Sequence, residues 1–470
     1  MSADTDAPSA KLNLMKREPA RSRVQLYAAG KALREKCPRS AHGEWKPAPD
    51  RPDPVDLVLR SEKGRIEELL PLRRGRMAHS PFTFYRGAAL TMACDLSGTP
   101  NTGLRVQCCG DAHLCNFGGY ATPERRVVFS INDLDETLPG PWEWDIKRLA
   151  ASVLVACRDN GLGNSIGRDM TMTCVRSYRE TMAELSYMKT LEIWYMSMAL
   201  DQLAADIKDP SIRKRVLKRL EREKGKSAAE ELFPKLAERK GGRHLIKDQR
   251  PTIFHREDCP PGRVPKVLKD VIARYRGTLH VSHQSLLERY ELRDAVIKVV
   301  GVGSVGTSCW ALLFTAGEND PLFLQVKEAT ASVLEPFAGK SVFSNHGQRV
   351  INGYRQMQPA SDMFLGYTVG TSGRHFYIRQ LRDIKISARV DTFGVPEMTI
   401  YAQWCGRALA LAHARSGESA MLSGYMGKSD TFDRAIADFS SAYATQSEQD
   451  HAALVRAIRS GKVKAEFEEE

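Results

Sequence analysis

Apolar positions along this 470-residue chain follow a helical period over most of its length. Helical spacing covers residues 55–103, 165–290 and 401–417. It also follows Pro141, which is suited to open a helix, and continues to Gly161, which is suited to end one. We expect these segments to be amphipathic helices.

Strand signals are shorter and occur in two regions. Residues 104–108 and 125–137 each predict one strand. Residues 295–381 predict a small sheet together with a helix near 342–358. In the stretch "LFLQVKEA" alternate residues fall on opposite faces, and we expect Lys327 to point from its face into a cleft.

The chain is too long for one ordinary core, so we expect two lobes in an α+β protein. The proline-rich "PAPDRPDP" at 47–54 predicts a stiff linker. The predicted parts are a loosely ordered arm at 1–50, a helical lobe at 51–290, a small β-rich lobe at 291–385, and C-terminal helices at 386–470 that return to the helical lobe.

Composition favours a globular protein of the cytoplasm. Hydrophobic residues make up 42% and charged residues 27%, and we see neither a secretory signal nor an apolar run that spans a bilayer. The ten cysteines are scattered without a C-x-x-C pair, which favours reduced thiols over disulfides or structural zinc.

The net charge of +12 has two explanations, a solvated basic surface or an anionic partner. The densest basic run, at 213–226, has the pattern of one exposed helix without interleaved aromatic residues, and this does not favour nucleic acid. A nucleotide or a phosphorylated substrate remains. Oligomeric state is left open.

The stretches "CCGDAHLCNFGGY" and "INDLDET" contain the highest concentration of candidate catalytic and metal-binding side chains. Oxygen ligands at Asn116, Asp133 and Asp135 suit Mg²⁺, while Asp111 can orient an attacking hydroxyl and accept its proton. We group His113 with Asp111 as a candidate catalytic residue. The alternative is a polar turn, in which these side chains bond local backbone and Asp135 caps the next helix.

The stretch "VVGVGSVGTSCWALLF" holds a G-x-G-x-x-G pattern at Gly301, Gly303 and Gly306 between β-like segments. A glycine-rich hairpin that includes Ser304 would let backbone amides approach a triphosphate, and a plain β-turn is the alternative. Lys327, on the next strand, is the residue type with which kinases hold the α- and β-phosphates. An exposed strand lysine is its alternative.

Three further predictions complete this site. Glu328 and Glu335 are the candidate acidic partners of the strand lysine. The backbone of Gln380 and Leu381, at the end of "YIRQL", is placed to bond adenine. Arg86 is a candidate for bidentate binding of an acceptor's carboxylate or phosphate. Its alternative role is a structural clamp on the catalytic loop through an acid such as Asp95.

In kinase-like chains the glycine hairpin precedes the Asp/Asn loop, and here the order is reversed. A circular permutation explains this if the ancestral termini lay close together. The segments "YAQWCGRALALAHARSG" and "GPWEWDIKRLA" resemble helices of aminoglycoside-phosphotransferase-like enzymes that flank the catalytic loop. The second segment contains Asp145, which we expect to brace the loop that carries Asp111.

Over residues 25–460 the chain resembles a bacterial family known as domain of unknown function 2252, on the strings "RRGRMAHSPFTFYRGAA", "QCCGDAHLCNFGGY", "INDLDETLPGPWEWDIKRLAAS", "VVGVGSVGTSCWALLF", "LQVKEA" and "YIRQLRDIK". The resemblance implies membership of the protein-kinase-like superfamily. It implies a catalytic Asp at Asp111, metal ligands at Asn116 and Asp133, a phosphate loop at Gly301, Gly303 and Gly306, and a phosphate-binding Lys327. One departure is Asn352, near which relatives often carry Glu.

Together these motifs predict an ATP- and Mg²⁺-dependent phosphotransferase with a small-molecule or protein acceptor that the sequence does not identify. The same apparatus can transfer a nucleotidyl group. Two other classes stay open. The "GDAH" turn also suits a two-metal phosphoesterase, for which "SNHG" at 344–347 supplies an Asn-His pair. A non-catalytic nucleotide-binding module is the second.

Overall fold

The computed structural model of the protein describes residues 21–224, 233–240, 243–299, 301–317, 320–381 and 384–468. Its strands are β1 (Arg105–Cys108), β2 (Phe117–Ala121), β3 (Val127–Ile131), β4 (Leu138–Pro141), β5 (Met198–Ala199), β6 (Ala237–Lys240), β7 (Arg243–Ile246), β8 (Ile253–Phe254), β9 (Glu291–Lys298), β10 (Cys309–Ala316), β11 (Asp320–Ala329), β12 (Gly366–Val369), β13 (His375–Gln380) and β14 (Lys385–Ser387).

Its helices are α1 (Arg23–Ala32), α2 (Pro54–Arg60), α3 (Leu70–Ala78), α4 (Pro81–Gly87), α5 (Ala89–Ser97), α6 (Trp142–Asp159), α7 (Asn164–Leu185), α8 (Thr190–Tyr195), α9 (Leu200–Ala205), α10 (Pro210–Lys224), α11 (Phe233–Leu236), α12 (Lys266–Arg276), α13 (Val281–Leu287), α14 (Glu335–Ala338), α15 (His346–Met357), α16 (Val395–Ala414), α17 (Ser419–Met426) and α18 (Thr431–Arg459). None of these helices combines the length and the apolar character needed to cross a membrane.

Helix α6 is the centre of the helical part. Pro141 precedes its first turn, as predicted, and every residue from Trp142 to Cys157 is buried. Helices α7, α16 and α18 pack around it. Trp142 stacks on Tyr178 of α7 with 5.9 Å between the ring centroids. A helix enclosed on all sides holds its polar residues rigidly, and several of them reach the site described below.

The largest sheet is antiparallel, with the strand order β12-β13-β11-β10-β9-β8. The alternation along β11 is confirmed: Leu324 and Val326 face a core that includes Tyr275 of α12. Gln325 and Lys327 face the opposite way and line a cleft. The predicted small sheet and its helix, which is α15, are therefore present.

Two sequence expectations about the helical part need correction. Residues 165–290 are mostly helical, but they also contain β5, the hairpin β6-β7 and strand β8. Strands β6 and β7 pair with each other, and β8 pairs with β9, so these segments form strands although they carry no alternating pattern of their own. The arm at 1–50 is not loose over its described part, since α1 packs on α17. A Cβ at Gly30 would lie 2.0 Å from the Met421 carbonyl oxygen, so the helices touch through backbone. Residues 1–20 lie outside the described residues.

A second, four-stranded sheet of order β14-β2-β3-β5 and the pair β1-β4 lie next to the helical part. Strands β1 and β2 flank the "GDAHLCN" loop, and β3 leads into the "NDLDET" loop. The two acidic loops are therefore brought side by side, with Asn132 N–H donating to the Asn116 carbonyl at 2.7 Å. All ten cysteines are free thiols.

Candidate active site

A cleft of about 1440 Å³ runs between the six-stranded sheet and the two acidic loops. Twelve of the thirteen predicted site residues line it: Arg86, Asp111, His113, Asn116, Asp133, Asp135, Gly301, Gly303, Ser304, Lys327, Gln380 and Leu381. Gly306 is not among the lining residues. Segments almost 200 positions apart therefore meet, as in the Lys327–Asp133 pair, which is separated by 194 positions.

The loop between β1 and β2, which is the predicted catalytic loop and carries Asp111, is held from beneath by Asp145 of α6. Its carboxylate accepts the backbone N–H of Cys109 at 2.5 Å and of Gly110 at 3.0 Å, which confirms the predicted brace. His413 of α16 lies 3.1 Å from the same carboxylate. Gly110 has φ +81°, and a Cβ there would lie 2.3 Å from the Glu136 carbonyl oxygen. Only glycine fits this close approach of the two loops.

Asp111 is oriented by an arginine that the sequence reading missed. Arg148 of α6 donates from Nε to Asp111 Oδ1 at 2.5 Å and from Nη2 to the Tyr85 carbonyl at 3.1 Å. Burial raises the pKa of Asp111, and the charge of Arg148 opposes that rise. The signal for Arg148 was its place one helical turn after Asp145, on the same face of α6.

His113 is buried beside Asp111. Its Nε2 lies 3.7 Å from Asp111 Oδ2, and its Nδ1 has no hydrogen-bond partner within the described residues. Burial, together with the positive charges of Arg86 and Arg148, lowers the pKa of His113 well below its ordinary value. The imidazole is therefore neutral, and it can donate or accept one hydrogen bond at the cleft wall.

Asn116 and Asp133 fit a hard cation. Asn116 donates from Nδ2 to the Asp111 carbonyl at 2.7 Å, which fixes the amide and leaves its Oδ1 as an acceptor. Burial would raise the pKa of Asp133, but the charges of Lys327 and Arg379 outweigh it and lower that pKa. A permanently ionised carboxylate and an amide oxygen suit Mg²⁺. Among the described residues no group of three or more His, Cys, Asp or Glu side chains is placed to hold a metal ion.

The partner of Lys327 is Asp135. Lys327 Nζ lies 2.6 Å from Asp135 Oδ2 and 3.5 Å from Asp133 Oδ2. Tyr377 donates to the other oxygen of Asp135 at 2.5 Å. Burial would lower the pKa of Lys327, and the two carboxylates instead raise it, so the ammonium stays charged. Because both oxygens of Asp135 are engaged, it is better suited to hold the lysine than to bind the predicted metal.

Glu328 and Glu335 were the wrong candidates for this role. Glu328 accepts the Ser308 N–H at 3.0 Å, and Glu335 lies 3.8 Å from His346. Glu328 borders the same cleft, but adjacent strand residues point to opposite faces, so its carboxylate is directed away from the Lys327 ammonium. The departure at Asn352 has no bearing on the lysine, since that side chain is exposed. Neither residue of the Asn345-His346 pair lines the cleft.

Helix α15 contributes Arg349 instead of an acid. This buried arginine donates to the carbonyls of Asp135 at 2.9 Å, Thr330 at 2.8 Å and Thr137 at 2.5 Å. It therefore ties the acidic loop to the end of β11. The alternative in which Asp135 caps the next helix is wrong, because no side chain caps the start of α6 and Asp135 pairs with Lys327 instead.

The glycine-rich segment is a hairpin between β9 and β10, as predicted, and its described residues include one 3₁₀ turn, Val302–Ser304. Gly301, Gly303 and Ser304 line the cleft. Gly306 serves the turn itself: its φ is +84°, and a Cβ there would lie 3.1 Å from Arg65 Cβ.

Arg65, a second residue missed from the sequence, fastens this hairpin to the helical part. Its Nη1 donates to the carbonyls of Gly303 at 2.8 Å and Val305 at 2.6 Å. The Ile66 N–H donates to the Gly306 carbonyl at 2.7 Å. The glycine hairpin is therefore anchored through its carbonyls. No local sequence pattern around Arg65 predicts this role.

Gln380 and Leu381 border the cleft, but their amides are already engaged. The Gln380 N–H donates to the Asp362 carboxylate, and the Leu381 N–H donates to the Phe323 carbonyl at 2.8 Å. The predicted adenine contact therefore cannot use these two N–H groups as they stand. Antiparallel pairing at the end of β13 accounts for the second of these bonds.

Arg86 does not clamp the catalytic loop through Asp95. That acid instead forms a bidentate pair with Arg51, at 2.7 and 2.9 Å, and accepts the Tyr443 hydroxyl at 2.9 Å. Arg86 extends from the end of α4 into the cleft, and its Nε is buried without a partner within the described residues. The clamp on the loop is Arg148.

Comparison with known proteins places the chain in one family. The model of a family described as "Uncharacterized protein conserved in bacteria (DUF2252)" matches residues 65–457. Searches of curated proteins and of solved structures found no significant match. The match covers most of the chain, including all thirteen predicted site residues and every described strand, so the protein belongs to the DUF2252 family of bacterial proteins.

Proposed function

We propose that this protein is an ATP- and Mg²⁺-dependent phosphotransferase with a two-lobed, kinase-like fold that is circularly permuted. One observation carries the proposal. Lys327 on the sheet pairs with Asp135 across a cleft, beside Asp133 and beneath a glycine-rich hairpin. This is the arrangement of parts that phosphoryl transfer requires, because its catalysis depends on positioning and charge stabilisation.

Asp111 is the group that takes the acceptor proton. Arg148 holds its Oδ1, whereas among the described residues only His113 is recorded near Oδ2, at 3.7 Å. An acceptor hydroxyl placed against Oδ2 loses its proton to that oxygen as its own oxygen forms a bond to the terminal phosphorus. The bond from that phosphorus to the bridging oxygen breaks, and the nucleoside diphosphate leaves with the electron pair. Arg148 stabilises the loop throughout.

Asn116 and Asp133 are the residues that would hold Mg²⁺, which in such a site neutralises charge on the nucleotide phosphates. Lys327 is available to the α- and β-phosphates, since Asp135 fixes its direction without occupying every donor hydrogen of the ammonium. The hairpin glycines allow backbone to approach phosphate without a Cβ in the way.

The permuted order is supported by the arrangement of the lobes. The chain builds the acidic loops first, then the six-stranded sheet, and returns to the helical part through α16, whose His413 contacts Asp145 under the catalytic loop. Helix α16, which resembles the helix that leads toward the catalytic loop in unpermuted enzymes, is therefore close to that loop in space. A permutation predicts this proximity.

Purified protein incubated with γ-labelled and α-labelled ATP and Mg²⁺ tests the proposal. We expect transfer of the γ-label to protein, added acceptors or water, and its loss in Asp111→Asn and Lys327→Ala. Glu335→Gln is the matched control, a carboxylate outside the cleft, and it should keep full activity. Transfer of the α-label instead would indicate nucleotidyl transfer. No Mg²⁺-dependent binding of ATP, or turnover unchanged in Asp111→Asn, would refute the proposal.

A further inference from the structure

The cleft contains an arginine whose guanidinium has no hydrogen-bond partner among the described residues. Arg86 makes no hydrogen bond or ion pair to any described residue, and its Nε is fully buried. Two other arginines of this region are satisfied: Arg148 by Asp111, and Arg379 by Gln325 and the Tyr354 hydroxyl. A partly desolvated guanidinium without a partner is unfavourable, and an anion bound beside it would remove that penalty.

Arg86 lies between the glycine hairpin and the loop that carries Asp111. A Cβ built on Gly301 would be 3.9 Å from Arg86 Nη2, and one built on Gly303 would be 3.5 Å from the Arg86 carbonyl oxygen. On the other side, the charge of Arg86 lowers the pKa of His113 and opposes the rise in the pKa of Asp111. The guanidinium therefore faces both the glycine hairpin and the catalytic loop.

Helix α4, which carries Arg86, is fixed to both loops. Val302 of the hairpin packs in one apolar cluster with Phe84 of α4 and Val58 of α2. The Tyr85 carbonyl accepts from Arg148, the residue that holds Asp111. Arg86 is thus preorganised relative to both loops, as a group that stabilises developing charge needs to be.

We propose that Arg86 forms the subsite for the terminal phosphoryl group, the one in transfer, and not for a carboxylate or phosphate of the acceptor. The inference rests on the proposed function. The reacting phosphorus must lie about 3–3.5 Å from the acceptor oxygen. That oxygen contacts Asp111, so the anion next to the catalytic loop and under Gly301 is the terminal phosphate. Lys327, paired with Asp135, is left for the inner phosphates.

This assignment predicts a difference between nucleotides that does not depend on knowing the acceptor. ATP has the terminal phosphate and ADP lacks it, so loss of Arg86 must weaken ATP binding selectively. The measurement is the Kd of Mg²⁺-ATP and of Mg²⁺-ADP by calorimetry. For Arg86→Ala we expect roughly ten- to a hundredfold weaker ATP binding, as for loss of charge-assisted hydrogen bonds, and less than about twofold for ADP. Arg86→Lys should restore part of the ATP affinity.

Arg60→Ala is the matched control, because Arg60 is an exposed arginine on the rim of the same cleft. The affinities of this variant for Mg²⁺-ATP and for Mg²⁺-ADP should stay at the wild-type values. Unfolding midpoints of all variants show whether they are folded. Equal losses for ATP and ADP, or no loss for either, would overturn the Arg86 assignment while the proposed function stands. A wild-type protein that binds neither nucleotide would overturn the proposed function itself.

Discussion

Removal of the Asp145 carboxylate should release the catalytic loop. In Asp145→Ala the backbone N–H groups of Cys109 and Gly110 lose their acceptor and stay buried, and His413 loses its contact. A hydrogen bond to a charged group contributes about 1.5–3 kcal/mol, so the two amides alone account for roughly 3–6 kcal/mol. The fully buried surroundings of α6 leave little room for water to replace the carboxylate.

Chemical denaturation measures the decrease in the free energy of unfolding of the whole protein. Hydrogen exchange at the Cys109 and Gly110 amides measures the decrease in the local stability of the loop. We expect exchange at these two amides, which follow β1, to accelerate far more than exchange within β1 itself. Asp145→Asn keeps one side-chain oxygen and should lose about half as much stability. Asp159→Ala is the control: it lies exposed at the end of the same helix, where its bond to Ser80 should contribute less than about 1 kcal/mol.

Two results would refute this reasoning. One is a loss below about 1 kcal/mol in Asp145→Ala, which would mean that the two amides find other acceptors. The other is an unchanged rate of hydrogen exchange at Cys109 and Gly110, which would mean that the Asp145 carboxylate stabilises another part of the core and not this loop. Either result would also remove the physical basis for treating the loop that carries Asp111 as preorganised by α6.

Three other changes have definite expected outcomes. Arg65→Ala removes the donors to the Gly303 and Val305 carbonyls, so the hairpin should become sensitive to protease and ATP should bind about tenfold more weakly. Gly110→Ala forces a Cβ against the Glu136 carbonyl, and expression of folded protein should fall sharply. His255 is buried between Asp248 and Asp294, with a ring nitrogen 3.0 Å from a carboxylate oxygen of each. Burial would lower the pKa of His255, but the two carboxylates raise it. The stability it adds is full below about pH 6.5 and is lost as pH rises through the raised pKa, so His255→Gln should flatten the dependence of the unfolding midpoint on pH in that window.

The sequence alone predicted the glycine hairpin, the two faces of β11 and the start of α6, because each of these depends on local stereochemical rules. Glycine spacing permits a hairpin, alternation along β11 separates Lys327 from its apolar neighbours, and Pro141 starts α6 by the restriction on its own φ. Each of these follows from the stereochemistry of a few consecutive residues. The same rules did not predict the hairpin β6-β7, or strand β8, whose partner β9 is distant in the sequence.

The partners inside the cleft were decided only by the tertiary structure. Asp135 holds Lys327, Arg148 holds Asp111, and Arg65 holds the hairpin, and none of these pairs is close in sequence. A charged side chain can reach several angstroms in any direction, so composition offers many possible acids for one lysine. Packing around α6 selects among them, because the element that presents a carboxylate to the cleft is positioned by buried apolar contacts far from it.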